Sequence, residues 1–174
     1  LTIKLPDNKI LINELTFELP QSKRLLVTGP SGCGKSTLLR TLAGIWFNAS
    51  GSITMPNDAK ILFLPQKPYL PLGSLRRALI YPLTQSKFDD RLADILNEVG
   101  LPELKYKLDE EDDWSRILSL GEQQRLAFAR VILTAPEFLF LDEATSALDE
   151  PREEDTDEQA YQHLDVAWRQ SKEI

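Results

Sequence analysis

A glycine-rich stretch, GPSGCGKST, spans residues 29–37 and constrains this chain more than any other feature. Its spacing is G-x-x-x-x-G-K-[ST], and its context agrees with that pattern. The apolar run LLV at residues 25–27 predicts a buried strand before it, and leucines at helical spacing predict a helix that ends near Gly44. A chance glycine-rich turn is not expected to carry the whole pattern between a strand and a helix.

The residues of this loop are suited to binding anions. Gly29, Gly32 and Gly34 allow the backbone to turn tightly and approach a ligand, so that amide N–H groups form a concave nest. The helix that follows points its partial positive end to the same place. Lys35 can reach β- and γ-phosphates, and the Ser36 hydroxyl can bind Mg²⁺. The predicted MgATP-binding residues are Gly29, Pro30, Ser31, Gly32, Cys33, Gly34, Lys35, Ser36 and Thr37.

Composition limits the class of protein. The 174 residues suffice for one domain with an inserted lobe. The formal net charge of −7 argues against a nucleic-acid surface as the main partner. A single cysteine excludes an internal disulfide, and no apolar run approaches the ~20 residues that span a bilayer. Because the first residue is Leu rather than Met, we expect the chain to be a piece of a longer protein.

Polar residues follow two predicted buried strands. The run ILFL at residues 61–64 precedes Gln66, and the run FLFL at residues 138–141 precedes Asp142 and Glu143. Ligands gather at the carboxyl edge of open α/β sheets. Asp142 would hold Mg²⁺ through its water shell, Glu143 would polarise the attacking water, and Gln66 could contact both. The alternatives are solvated acids, which the earlier phosphate loop disfavours, and a plain loop residue at Gln66.

The remaining elements surround these strands. Residues 1–19 alternate loosely and predict two or three antiparallel strands, and a short strand pair is expected at residues 45–53. The middle third predicts a mostly helical lobe. Its predicted elements are a short helix over residues 74–80, an amphipathic helix over residues 88–99 and a charged loop over residues 103–113.

A second helix start lies at Ser119. Ser119 and Glu122 have the spacing of a capping box, and apolar residues continue the helix until Pro136 breaks it. The plain interpretation is a well-capped helix. A sharper one adds that a capped N-terminus with a hydroxyl and Gly121 can also bind phosphate.

In this order the motifs resemble those of an ATP-binding cassette (ABC) nucleotide-binding domain over about residues 1–150. The resemblance rests on the phosphate loop (Walker A), Gln66, the LSLGEQQR signature segment, the Asp142-Glu143 pair (Walker B) and the SALD turn at residues 146–149. The stretches PQKPYLPLGSLRRALIYP and LSLGEQQRLAFAR resemble the peroxisomal fatty-acyl transporters and the related bacterial peptide and cobalamin transporters.

The resemblance implies an α/β P-loop NTPase fold. A central, mostly parallel sheet, a small N-terminal antiparallel sheet and an inserted helical lobe are expected, with the core at about residues 1–67 and 135–174 and the lobe at about residues 68–134. It implies an ATPase that uses ATP and Mg²⁺. The implied catalytic residues are Glu143, Gln66 and Lys35, and the implied metal ligands are Ser36, Gln66 and Asp142.

The resemblance also implies partners. Two cassettes, as a homodimer, would pair head to tail with each ATP between the phosphate loop of one and the signature segment of the other. Ser119, Gly121 and Gln123 would contact the γ-phosphate across the interface, and Asp149 would lie near the dimer axis. A membrane-spanning domain would precede this chain in the same polypeptide, which places the cassette at the cytoplasmic face of a membrane. The implied signature residues are Ser119, Leu120, Gly121, Glu122 and Gln123.

This sequence departs from the family pattern at three places. Leu120 replaces a Gly and Glu122 a Gln, which the subgroup tolerates. No aromatic residue lies near Leu5, where one usually stacks on adenine. The switch histidine expected beyond Glu143 is missing, because the only histidine, His163, falls too early and within a predicted helix. We therefore expect a truncated or divergent C-terminal end, and weak or no ATP hydrolysis by the isolated chain.

Two other classes remain open from the sequence. A non-transport ABC ATPase that works on DNA or ribosomes would usually show a coiled-coil insertion or paired cassettes, and neither is present. A hydrolysis-deficient nucleotide-sensing module is favoured only by the missing histidine.

Overall fold

A computed structural model describes residues 1–84 and 91–143. Short strands and helices alternate along this part of the chain. In order they are β1 (Thr2–Lys4), β2 (Ile10–Ile12), α1 (Lys35–Leu42), β3 (Ala49–Ser50), β4 (Ile61–Leu64), β5 (Gly73–Ser74), α2 (Leu75–Ile80), α3 (Leu92–Glu98), a 3₁₀ helix (Pro102–Lys107), β6 (Glu111–Asp112), α4 (Trp114–Ile117), α5 (Leu120–Thr134) and β7 (Phe138–Leu141).

The two apolar runs predicted as strands form one parallel pair. β4 and β7 align in register from Ile61 opposite Phe138 to Leu64 opposite Leu141. The pairing continues one step further, because the amide of Asp142 donates to the carbonyl of Leu64 at 3.0 Å. Both strands therefore end at the same edge. The predicted parallel sheet of the P-loop fold is confirmed in this pair.

The predicted N-terminal antiparallel sheet is also present. Its strand order is β2-β1-β3, so its third strand comes from beyond α1 rather than from residues 13–19. The ring nitrogen of Trp46 donates to the main-chain carbonyl of Lys4 at 3.2 Å. The side-chain amide of Asn48 donates to the main-chain carbonyl of Leu5 at 2.6 Å. These bonds fasten the segment after α1 to the sheet. Of the strand pair expected at residues 45–53, only β3 forms.

The predicted buried strand at residues 25–27 is wrong for the described structure. No strand is formed there, and Leu26 is 65% exposed. An apolar run becomes a buried parallel strand only when neighbouring strands pair with its backbone and other elements cover its side chains. Neither β4 nor β7 pairs with this segment. Local hydrophobicity alone therefore could not decide its structure.

The middle of the chain packs as a group of helices. Side chains from α2, α3, α4 and α5 share one apolar cluster with Leu104 of the 3₁₀ helix. Within that cluster Trp114 is buried and donates its ring N–H to the carbonyl of Gly73 at 3.1 Å. α2 is confirmed with Ser74 as its cap, and α3 begins at Leu92 in the described residues. Residues 85–90 of the predicted amphipathic helix lie outside them.

The charged segment 103–113 is not the loop that its composition predicted. It forms the 3₁₀ helix and then β6, which pairs with β5 through Gly73 opposite Asp112 and Ser74 opposite Glu111. Its carbonyls also accept from the first amides of α2, since Arg76 donates to Leu108 at 2.7 Å and Leu75 to Glu110 at 3.1 Å. The segment is ordered because it satisfies donors that every helix N-terminus leaves unpaired.

The longest described helix, α5, lies between the two apolar groups. Leu126, Ala129 and Leu133 belong to the helical cluster. Ala127, Phe128 and Val131 pack with Leu64 of the parallel sheet. Because α5 is buried on both sides, it holds the helical group against the sheet. Among the described residues, no helix has the length and apolar character to cross a bilayer.

The helical cluster predicts a measurable stability difference between two leucines. Leu96 is fully buried in α3, whereas Leu72 is 67% exposed. We expect Leu96→Ala to lower the free energy of unfolding by about 2–5 kcal/mol, because it leaves a cavity. Leu72→Ala, the matched control, should change it by no more than about 0.5 kcal/mol. Urea unfolding monitored by tryptophan fluorescence measures both, and equal effects would contradict this packing.

Candidate nucleotide-binding site

The phosphate loop needs glycine at its first and sixth positions. Gly29 has φ +154° and Gly34 φ +102°, where other residues are strained. A Cβ atom on Gly29 would lie 2.9 Å from the Cys33 sulfur, and one on Gly34 would lie 2.8 Å from a Leu11 methyl. Since Leu11 belongs to β2, the N-terminal sheet supports the loop from behind. The loop leads directly into α1, so that the helix N-terminus faces it.

Lys35 brings a positive charge to the loop. Its ammonium donates to the carbonyl of Gly29 at 2.8 Å and to that of Pro30 at 3.0 Å. The lysine side chain therefore turns back over the loop from the first position of α1. The positive charge of Lys35 and the N-terminus of α1 therefore lie at the same place, where both favour a bound anion.

Ser36 and Asp142 are brought together across 106 positions of sequence. The Ser36 hydroxyl donates to Oδ1 of Asp142 at 2.5 Å, and Arg40 lies 3.5 Å from Oδ2. Asp142 is only 5% exposed, so its carboxylate is fixed at the end of β7. A hydroxyl and a carboxylate are hard oxygen donors of the kind that Mg²⁺ prefers.

Gln66 and Glu143 form the second pair at this edge. The amide of Gln66 donates to Oε2 of Glu143 at 3.0 Å. Glu143 has φ +52°, a left-handed conformation that is uncommon for glutamate. Such conformations concentrate at functional sites. The in-register parallel pair explains the meeting, because Gln66 and Glu143 each lie two positions beyond the last residue of a paired strand.

The capping box at the start of α5 is present as predicted. The hydroxyl of Ser119 donates to Glu122 at 2.7 Å, and the Ser119 amide donates to the same carboxylate oxygen at 2.8 Å. In return the Glu122 amide donates to the Ser119 hydroxyl at 3.3 Å. These bonds lower the pKa of Glu122 below its ordinary value of 4.5, the hydroxyl contributing most. Ser119 and Leu120 are exposed, and Gly121 is half-buried.

The structure places Gln123 differently from its neighbours in the signature segment. Its side chain is buried and donates to the carbonyls of Ser115 at 2.9 Å and Leu118 at 2.8 Å. In this conformation Gln123 stabilises the turn that carries Ser119 rather than facing outward. Asp149 and His163 lie outside the described residues.

Two buried polar residues of α5 escaped the sequence interpretation. Gln124 donates to the carbonyl of Gln66 at 2.8 Å, and Arg130 donates to those of Tyr69 at 2.9 Å and Ala78 at 2.7 Å. Burial lowers the pKa of Arg130 to about 10, so it remains charged at neutral pH. Their signal in the sequence was weak, because a polar residue within a helix is ordinarily read as part of a solvated face.

The residues at the sheet edge also limit how a cation could be held. Among residues 1–84 and 91–143, no three acidic, histidine or cysteine side chains are grouped to hold a metal. A cation here would rely on Ser36, Asp142, the amide oxygen of Gln66 and phosphate oxygens. Mg²⁺ is commonly bound in this way beside nucleotides, with few protein ligands.

Comparison with known proteins decides the family. A family model described as ABC transporter matches residues 12–146. This chain belongs to the ABC transporter family. It is an ATP-binding, ATP-hydrolysing domain of that family, and the predicted resemblance is confirmed.

Two curated relatives are similar to this ABC domain. A Synechocystis protein, an uncharacterized ABC transporter ATP-binding protein, is 51% identical over 146 residues, which cover 82% of this chain and 22% of that protein. The human lysosomal cobalamin transporter ABCD4 is 42% identical over 157 residues, covering 82% of this chain and 26% of that protein. The chain thus spans about a quarter of the length of these relatives.

A solved structure shares the fold. The structure of a bacterial Atm1-family ABC exporter with ATP bound superimposes with a TM-score of 0.77 and 23% identity, covering 97% of this chain and 31% of that one. At this identity the likeness bears on the fold alone.

The capping box predicts a pH-dependent stability difference. Ser119→Ala should lower the free energy of unfolding by about 0.5–2 kcal/mol at pH 7. Because the folded pKa of Glu122 is depressed, its contribution is complete above pH 4.5 and is lost as pH falls through the folded pKa. The difference between wild type and variant should therefore shrink below pH 4.5.

The control is Thr134→Val, which removes a hydroxyl bonded to the backbone carbonyl of Arg130. Its effect should not follow the titration of a carboxylate. Thermal unfolding at several pH values tests both variants, and a Ser119→Ala difference that is constant from pH 7 to pH 3 would contradict the capping role of Glu122.

Proposed function

We propose that this domain powers the movement of a substrate across a membrane by hydrolysing MgATP in a head-to-tail dimer. The observation that carries the proposal is the shared edge of β4 and β7. There the Ser36–Asp142 and Gln66–Glu143 pairs meet, at 2.5 and 3.0 Å. The phosphate loop is followed directly by α1, and α1 carries Ser36 to this same edge. A site for phosphate, a site for a cation and a carboxylate base are thereby adjacent.

We assign separate roles to these side chains. The loop amides and Lys35 bind the phosphates, and Ser36, Asp142 and Gln66 would hold Mg²⁺, which when bound neutralises phosphate charge. Glu143 accepts the proton of the attacking water, and Gln66 orients that water. The buried position of Asp142 suits a metal-holding role, whereas Glu143 lies one residue further out and can meet solvent.

Partners follow from the exposed start of α5. Ser119 and Leu120 are exposed and Gly121 is half-buried, so the start of α5 is open to a partner. We assign them, with Glu122 and Gln123 as their support, to the ATP site of a second copy. Asp149 would lie near the axis of that dimer. We also propose a core at about residues 1–67 and 135–174 and a helical lobe at about residues 68–134.

The whole protein would contain a membrane-spanning domain upstream, with this domain at the cytoplasmic face. Curated relatives about four times longer than this chain leave room for it. One of them is named a cobalamin transporter, which supports a transport role without identifying the substrate.

Catalysis is tested with Glu143→Gln in the whole protein. The substitution keeps size and hydrogen bonding but cannot accept a proton, so phosphate release should fall by ~10²–10⁴-fold while ATP still binds. Lys35→Ala should instead weaken ATP binding itself. Phosphate release and binding of labelled ATP separate the two effects. If Glu143→Gln releases phosphate at the wild-type rate, Glu143 is not the base and a different group activates the water.

Pairing is tested with Ser119→Arg. A large cation at the exposed start of α5 should block ATP-driven dimerisation while ATP binding to each monomer persists, because the phosphate loop is untouched. Sizing of the Glu143→Gln protein with ATP, with and without Ser119→Arg, measures the effect. Normal pairing by the double variant would mean that Ser119 is a helix cap and nothing more.

A further inference from the structure

Gln124 connects the helix that begins at Ser119 to the loop that carries Gln66. Its side chain is 1% exposed, and its Nε2 donates to the main-chain carbonyl of Gln66 at 2.8 Å. The contact joins residues 58 positions apart. The bond is made to the backbone of Gln66, so the Gln66 side chain remains directed to Glu143.

The place of Gln124 on α5 makes it a rigid attachment point. Ala127, Phe128 and Val131 lie three, four and seven positions further on, and all three pack with Leu64 at the end of β4. Gln124 thus lies at the N-terminal end of the helix face that contacts the sheet. Gln66 follows β4 by two positions and lies beyond the last bond of the ladder, from the amide of Asp142 to the carbonyl of Leu64. The main-chain carbonyl of Gln66 accepts instead from the Gln124 side chain of α5.

A second contact holds the same loop three positions further along. Arg130 is buried and donates to the carbonyl of Tyr69 at 2.9 Å and to that of Ala78 at 2.7 Å. The loop that contains Gln66 is therefore bonded to α5 at two places, the carbonyls of Gln66 and Tyr69. It cannot shift relative to α5 without breaking one of these bonds.

Stability alone does not account for a glutamine at this position. The Oε1 atom of Gln124 is buried, and no partner is found for it among the described residues. A buried acceptor without a hydrogen bond is unfavourable, and an apolar side chain of similar shape would avoid that penalty. The single bond that Gln124 makes to Gln66 is thus its distinguishing contribution.

We propose that Gln124 is a positioning residue that fixes Gln66, and through it Glu143, relative to the helix start at Ser119. The proposal rests on the proposed function, in which Gln66 acts in the ATP site of its own chain and Ser119 in that of the partner copy. Gln124 then links the two ATP sites of the dimer, because a displacement of α5 at one site moves Gln66 at the other.

The test is Gln124→Met in the whole protein, since methionine preserves length and volume but cannot donate. We expect kcat for ATP hydrolysis to fall by between about 10- and 100-fold, the range typical of a misplaced catalytic group. The Kd for a nonhydrolysable ATP analogue should stay within about twofold of wild type, since the phosphate loop is unchanged. The unfolding temperature should change little, because Gln124→Met removes the unpaired Oε1 acceptor but leaves the Gln66 carbonyl without its donor.

Thr134→Val provides the matched control, because it also removes a side-chain hydrogen bond of α5, but one made to its own helix. It should leave kcat and Kd unchanged. Hydrogen exchange adds a second readout that does not depend on turnover. In Gln124→Met the amides of Gln66, Lys67 and Tyr69 should exchange faster while those of α5 remain protected.

Three outcomes would overturn the inference. Wild-type kcat in a folded Gln124→Met protein would show that the bond does not position Gln66. Equal loss of kcat in Gln124→Met and Thr134→Val, or faster exchange throughout α5, would show a general weakening of the helix. Glu143→Gln separates this result from the proposed function: if it stalls hydrolysis while Gln124→Met does not, only the role of Gln124 fails.

Discussion

The in-register pairing of β4 with β7 is the constraint on which the site depends. Four paired positions bring two distant segments to a common end, and the amide of Asp142 extends the pairing by one bond. Because side chains in strands alternate, a slip of one residue would move each of Asp142 and Glu143 to the face of the sheet opposite the one that it occupies now. The Ser36–Asp142 and Gln66–Glu143 contacts both require this register. The chemistry of the site is therefore a consequence of strand alignment.

Helix α5 gives this sheet edge its second connection. One face packs with Leu64 and the other with the helical cluster, so the start of the helix at Ser119 has a defined position relative to β4. Two of its buried polar residues, Arg130 and Gln124, donate to backbone carbonyls of neighbouring segments. Buried polar groups in native proteins are nearly always bonded in this way. Here those bonds are also the contacts between the helix and the loop of Gln66.

Features that rest on neighbouring residues could be predicted well. The capping box of Ser119 and Glu122, the short helix predicted over residues 74–80 and the strands β4 and β7 each depend on a few adjacent positions, and each is observed. Features that rest on remote partners could not. Leu26 is exposed because neither described strand of the parallel sheet pairs with its segment. The charged residues 103–113 are ordered because α2 and β5 bind them.

The sequence by itself determined the phosphate loop, the acidic pair after β7 and the family, because these depend on residue types at fixed spacing. Only the tertiary structure decided which side chains meet: Ser36 with Asp142, Gln66 with Glu143, and Gln124 with the backbone of Gln66. It also directs the Gln123 side chain into the protein, whereas the signature motif predicted a contact with a ligand. The physical reason is that spacing along a chain specifies local conformation, whereas contacts across 58 to 106 positions arise from strand register and helix packing.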